Sequence, residues 1–262
     1  MSPSPDSTAA ARTLGSPRLH LRLTDSTNER ARQLAAAGAP HGSLVTASEQ
    51  SAGRGRQGRR WSAPAGSSLL ASLVVRGATR LLPLASAVAV CDAIDAAPGE
   101  RPPARIKWPN DVVLERHQGL AKLAGILIEA RVQQGWAVLG IGLNVAVELE
   151  ALPDELKGTA ATLGLAPAAI EPLLAALLVA LERRLDEPAS DTLAAWSARD
   201  ALAGRQIAWG PPGEPDARPE GTGVARGIDG DGRLVVELDG GGQTALGSGE
   251  VHLRPAEPER RA

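Results

Sequence analysis

Polar and apolar positions alternate through residues 18 to 23, RLHLRL, as in a half-buried strand. Ser26 and Glu29 then stand in capping-box spacing, which predicts a helix through Leu34 that stops at Gly38. Strands are expected at 43 to 49 and 68 to 76, and a helix over about 80 to 96 with Leu81, Leu84, Ala85, Val88 and Ile94 facing inward. RIKWPNDVVL (105 to 114), KLAGILIEARV (122 to 132) and GWAVLGIGLNV (135 to 145) read as strands joined by tight connections. Leucines at helical spacing predict a helix over 167 to 186, followed by a second over 191 to 202. From 203 onward, short apolar pieces separated by Gly, Pro and Asp predict a small β-barrel. The order favours an α+β fold with a mixed, largely antiparallel sheet. The expected divisions are a disordered N-terminal segment (1–17), a main domain (18–202), the barrel (203–255) and a charged tail (256–262).

Composition narrows the classes. The 262 residues carry 28 basic and 30 acidic side chains, a net charge of −2, so no global field steers the chain to a polyanion. A single cysteine, Cys91, lies in an apolar run, excludes an internal disulfide and reads as a buried structural thiol. The N-terminus lacks the apolar stretch of a signal peptide, and no run approaches the ~20 apolar residues that span a bilayer, so a cytoplasmic protein is expected. Four scattered histidines give no zinc spacing, and neither a GxSxG nor a Walker A string occurs. Phe and Tyr are absent, which leaves five tryptophans as the aromatic complement.

Against this neutral background residues 53 to 61, GRGRQGRRW, stand out. Glycines let the main chain approach a ligand, and guanidinium forks match phosphate and carboxylate oxygens. The spelling contains GxGxxG, but a dinucleotide fold needs a helix next and an acid about 20 residues on, and WSAPAG followed by an acid-free strand supplies neither. The stretch predicts a loop that folds around a small anion.

A second group of polar residues recurs on one expected hairpin: Lys107, Asn110 and Asp111 in KWPND, then Lys122 and Gly125 in KLAGIL. A carboxylate beside an amide and a lysine suits a magnesium nucleotide, since magnesium keeps waters and takes one or two protein carboxylates. Alone, each has an ordinary alternative. A turn carboxylate is more often a solvated cap, a strand-edge lysine a solubility device, and Gly140, Gly142 and Asn144 plain strand residues. Ser26, Thr27 and Asn28 likewise fit an ordinary N-cap as well as a ligand site.

Together, STN (26 to 28), Gln50 before GRGRQGRRW, KWPND, KLAGIL and GIGLNV follow the order and approximate spacing of the biotin protein ligases, the biotin–[acetyl-CoA-carboxylase] ligase family, which the chain resembles over about residues 18 to 255. The resemblance implies a class II synthetase-like catalytic domain and an SH3-like C-terminal barrel, matched by GID (227 to 229) and GEVHLR (249 to 254). It implies that biotin and ATP give biotinyl-5′-AMP and pyrophosphate, and that the biotinyl group then passes to one lysine of a biotin carboxyl carrier domain. By the same resemblance Ser26, Thr27, Asn28 and Gln50 line the biotin head-group pocket, with Trp61 and Gly125 beside it. Arg54, Gly55 and Arg56 close over biotin and the acyl-phosphate. Arg59, Lys107, Asn110, Gly142 and Asn144 belong to the nucleotide, and Asp111 to Mg2+. Arg56 and Lys122 are the expected catalytic pair.

The chain also departs from that pattern. Gln57 replaces a frequent arginine, and the segment 145 to 163, which covers the adenylate in relatives, carries no aromatic residue and suggests Val or Leu packing instead. Residues 1 to 17 are too few for a winged-helix domain of roughly 50 or more, so a monofunctional enzyme without DNA binding is expected, as a monomer or homodimer. The rival readings are a lipoate-type ligase and a non-catalytic biotin-sensing or nucleic-acid-binding module.

Overall fold

The structure, a computed structural model, describes residues 14–117, 119–211, 219–248 and 252–255. Residues 1–13 of the expected disordered segment, 249–251 of GEVHLR and the tail 256–262 lie outside the described residues. Residues 14–17 are packed: the Leu14 side chain is buried, its N–H donates to Glu182 Oε1 at 3.0 Å, and Gly15 N–H donates to Gly42 O at 2.8 Å.

A seven-stranded sheet forms the larger part. It contains β1 (Arg18–Thr24), β2 (Leu44–Gln50), β3 (Ser68–Arg76), β4 (Arg105–Lys107), β5 (Asp111–Arg116), β6 (Gly119–Arg131) and β7 (Trp136–Asn144), in the order β1-β2-β3-β7-β6-β5-β4. All neighbours are antiparallel except β1 and β2. That parallel pair requires a crossover, supplied by helix α1 (Thr27–Ala36). The single strand expected at 105 to 114 is instead two strands about a Trp108–Asn110 turn, because Pro109 cannot donate a ladder hydrogen bond.

Helices sort onto the two faces by side-chain parity. Helix α2 (Leu82–Asp95) and α4 (Ile170–Asp186) bury the face of Leu69, Ala71, Leu73, Val75, Leu139, Ile141 and Leu143, and α5 (Ala189–Ser197) packs on α2. Helix α1 covers the other face, but only at one end, where Ala31 and Ala35 meet Val45, Val74 and Val138. The opposite end of that face is left to the loops. A short helix, α3 (Asp154–Lys157), lies in the connection after β7, where Val147, Leu152 and Ala160 form a small apolar cluster.

The smaller part is a five-stranded antiparallel sheet of β8 (Gln206–Gly210), β9 (Gly221–Ile228), β10 (Leu234–Leu238), β11 (Gln243–Leu246) and β12 (His252–Pro255), ordered β11-β10-β9-β8-β12. It is the small C-terminal β domain foreseen in the change of texture near 203. Its Leu234 and Val236 join the same apolar core as α2 and α4. Cys91 lies in that core, where burial pushes its thiol up to about 12 and leaves it unreactive.

Candidate active site

The open end of the α1 face is a trough because its strands carry small residues in register. Ser68 faces Asn144, Leu70 faces Gly142 and Ser72 faces Gly140 across β3 and β7, while Gly125 faces Gly142 and Leu127 faces Gly140 across β6 and β7. Side chains from other elements fill the space where these strands lack Cβ atoms. A Cβ on Gly142 would lie 2.6 Å from Trp61 Cε2, and one on Gly140 would lie 1.9 Å from Asn28 Oδ1. The glycines therefore admit Trp61 and Asn28 onto the sheet.

At the N-terminus of α1 the expected capping box is absent. Ser26 occupies the N-cap in extended backbone but makes no side-chain capping bond; its N–H donates to Asp25 Oδ1 at 2.7 Å, and the Glu29 carboxylate, the other half of the box, accepts from Arg32 and Gln33. Gln50 caps the helix across the sheet instead: its Oε1 accepts from Thr27 N–H at 2.7 Å and from the Thr27 hydroxyl at 3.0 Å. Ser72 Oγ lies 2.8 Å from Thr27 Oγ1 and 2.7 Å from Asn28 Oδ1, and Asn28 Nδ2 donates to Glu129 Oε2 at 2.9 Å. Ser26, Thr27, Asn28 and Gln50 thus form one neutral polar wall, with the first three buried.

The run 53 to 61 folds as a small hairpin. Trp61 N–H donates to Gly53 O at 3.0 Å, Arg54 bridges Arg60, and Gly55 N–H donates to Arg59 O at 2.7 Å. The tip is a 3-10 turn, Arg56–Gly58, in which Gln57 adopts a left-handed φ of 54°. The arginines diverge from this base. Arg54 reaches Glu29 and Glu129 at 3.3 Å each, Arg60 donates to Ser51 O at 2.7 Å, and Arg56 donates to Asn110 Oδ1 at 3.1 Å and to Ser248 O.

Cations gather at the far end of the trough. Lys122 Nζ sits 2.7 Å from Asp111 Oδ1 and 5.7 Å from the Trp61 ring centroid. Burial lowers the Lys107 ammonium from its ordinary range; Asp111 opposes that shift, while Lys122 and Arg59 reinforce it. Burial likewise lowers Arg56, against the pull of Asp111 and with a push from Arg59. Asp111 is thus one carboxylate among four cationic side chains, and such a site has affinity for a further anion. Among the described residues no group of three or more His, Cys, Asp or Glu could hold a metal ion. The donor set fits magnesium only as a single carboxylate ligand that leaves the remaining positions to water and phosphate.

Most of the residues singled out in the sequence converge on this trough. Asn144 is close but structurally occupied: it accepts from Ser68 Oγ at 3.3 Å and donates to Ala161 O at 2.9 Å, pinning the segment after α3. That segment runs beside β6, with Lys122 N–H donating to Thr159 O at 2.6 Å. Ser72 and Glu129 lie beyond the reach of sequence reasoning, since a serine in an apolar strand and an acid near a strand end carry no signal of their own, and Glu29 reads only as half of a capping box. A separate polar cavity of about 490 Å³ adjoins Ser26 and Arg54 on the α1 side, away from Lys122 and Asp111.

Residues 20–145 match the Biotin/lipoate A/B protein ligase family, and residues 218–254 match the Biotin protein ligase C terminal domain. The Biotin--[acetyl-CoA-carboxylase] ligase of Mycobacterium tuberculosis is 38% identical over 247 residues, covering 88% of this chain and 87% of that one. The Bifunctional ligase/repressor BirA of Bacillus spizizenii is 37% identical over 158 residues; the match spans 57% of this chain and 47% of that longer protein. Among solved structures, biotin protein ligase from Aquifex aeolicus in complex with biotin and ATP superposes with a TM-score of 0.74 at 24% identity, over 91% of this chain and 99% of that one, a likeness of fold. Matched along nearly its whole length by a named ligase, the chain belongs to the biotin protein ligases of the Biotin/lipoate A/B protein ligase family.

Proposed function

We propose that the chain is an ATP-dependent biotin protein ligase. The biotin carboxylate attacks the α-phosphorus of ATP, forming the acyl-phosphate bond of biotinyl-5′-AMP as the bond to pyrophosphate breaks. A lysine amine of a biotin carboxyl carrier domain then attacks the biotinyl carbonyl and expels AMP. Both steps concentrate negative charge at one point, so fixed cationic donors lower the barrier most. The observation that carries this reading is the clustering of Lys107, Lys122, Arg56 and Arg59 about a single carboxylate, Asp111, at one end of a trough whose other end is neutral and polar. The neutral wall suits an uncharged ureido ring and the cationic end suits the joined carboxylate and phosphate.

In this reading Thr27, Asn28 and Gln50 bind the ring, with Ser26 beside them, and Trp61 and Gly125 form the apolar floor. Lys122 and Arg56 neutralise the reacting oxygens, while Gly55 at the hairpin base lets the main chain approach. Lys107, Asn110, Arg59 and Gly142 belong to the nucleotide, and Asn144 holds the covering segment. Asp111 would hold a magnesium ion carried by ATP, which would neutralise phosphate charge. We assign this chemistry to residues 18–202 and an accessory role to 203–255.

Isotope exchange between pyrophosphate and ATP tests the reading. Exchange should require biotin and should not be supported by lipoate or octanoate; support by lipoate would move the chain to the lipoate-type branch, and no exchange with any acid would overturn the assignment. Arg56→Ala should slow adenylation by about 10²- to 10³-fold, the loss expected of one transition-state donor.

A further inference from the structure

Glu129 closes the string KLAGILIE, on the trough face of β6 with Gly125 and Leu127. Its two oxygens serve different partners. Oε2 accepts from Asn28 Nδ2 at 2.9 Å, and Oε1 from Arg54 Nη1 at 3.3 Å. Glu29 also reaches Arg54 at 3.3 Å, but it is divided among Arg32, Gln33 and Arg54.

A carboxylate can only accept hydrogen bonds. Glu129, at the shorter distance, and the Leu127 carbonyl, which accepts from Asn28 Nδ2 at 3.4 Å, therefore set which way the Asn28 amide points: NH2 toward β6 and carbonyl toward Ser72, whose hydroxyl is 2.7 Å away. Reversing that amide would set its carbonyl against a carboxylate. The same carboxylate holds Arg54 at the base of the hairpin, two residues from Arg56. Close polar contacts run from Gln50 through Thr27, Ser72, Asn28 and Glu129 to Arg54, and the two hydroxyl protons of Thr27 and Ser72 serve two of the three oxygen–oxygen contacts at a time.

We infer that Glu129 is a positioning residue for the ligase reaction: one carboxylate orients the Asn28 amide in the head-group wall and seats the base of the arginine hairpin. Arg54 is accordingly a latch on two protein carboxylates, and Arg56 is the hairpin arginine that meets the substrates. The inference rests on the ligase reading above.

The test is biotin-dependent pyrophosphate exchange by the full chain, its Glu129→Ala and Glu129→Gln variants, Arg54→Ala, and the Glu129→Ala/Arg54→Ala double variant, each with its Tm. Glu129→Ala should raise the KM for biotin about tenfold, the weight of a hydrogen bond to a charged group, with kcat and the KM for ATP changed less than about threefold. Glu129→Gln keeps an acceptor for one partner and should fall between. Arg54→Ala should raise the biotin KM less than Glu129→Ala, and the double variant should add nothing to Glu129→Ala. A wild-type KM in Glu129→Ala, or additive effects in the double variant, would overturn the inference. If Glu129→Ala does not fold, a wild-type KM in Glu129→Gln does so equally. A wild-type chain without biotin-dependent exchange would instead overturn the ligase reading itself.

Discussion

Gly140 and Asn28 share one space: no Cβ at 140 can coexist with the Asn28 amide where it now lies. Gly140→Ala should therefore displace Asn28 from Ser72 and Glu129 and raise the KM for biotin by about tenfold or more, as expected for one or two lost polar contacts, with the fold retained by circular dichroism. An unchanged KM would remove Asn28 from the pocket wall. In the sequence Gly140 was open to reading as an ordinary strand glycine. Its role comes from a contact with a residue more than a hundred positions away, which no local pattern reports. The same holds for Ser72 and Glu129. Residues with unusual chemistry in a short span, such as the hairpin arginines and Lys107 with Asp111, were legible because their local density is itself the signal. The division of labour among the arginines was not, since it depends on which acids other elements bring up.

Elements were legible where one face is buried and the other is not. The α4 periodicity places Leu173, Leu174, Leu177 and Leu181 in the core, as expected, while Leu178 and Leu185 lie at its margin. The parallel β1–β2 pair escaped notice because strand polarity is a property of the crossover, not of either strand. The junction after α5 was also invisible. There Asp200 is 3% exposed; its Oδ1 accepts from Leu202 N–H at 2.8 Å, and its Oδ2 has no hydrogen-bond partner among the described residues. Burial raises this carboxyl above its ordinary value, against the opposing effect of the Leu202 and Ala203 backbone and Arg105. Well below about pH 3.9 both folded and unfolded states hold the proton, and the group adds no pH dependence. As pH rises through the folded-state value, the unfolded chain ionises freely while the folded chain must ionise a buried group, so stability is lost. Asp200→Asn keeps the acceptor for Leu202 and should raise stability at pH 7 by on the order of 1 kcal/mol, read as a higher Tm that converges with wild type in acid. A lower Tm at pH 7 would show that the carboxylate is stabilising.

At the scale of the molecule, the smaller sheet is seated against the Trp108–Asn110 turn. Trp108 Nε1 donates to Gly232 O at 3.0 Å, Arg80 pairs with Asp231 at 2.8 Å, and Arg205 pairs with Glu115. The change of texture near 203 announced that sheet. Its contact with Trp108, in the KWPND turn, is a tertiary fact that composition does not encode. A near-neutral chain with one concentrated cationic end suits a small anion. The central claim is that this end joins biotin to the AMP part of ATP, releasing pyrophosphate, and then to protein. Mass spectrometry of a biotin carboxyl carrier domain incubated with the chain, biotin and ATP tests that claim most directly. The account predicts the mass of one biotinyl group on one lysine, dependent on ATP and abolished by Lys122→Ala; an unmodified carrier domain in the presence of active, folded chain would contradict it.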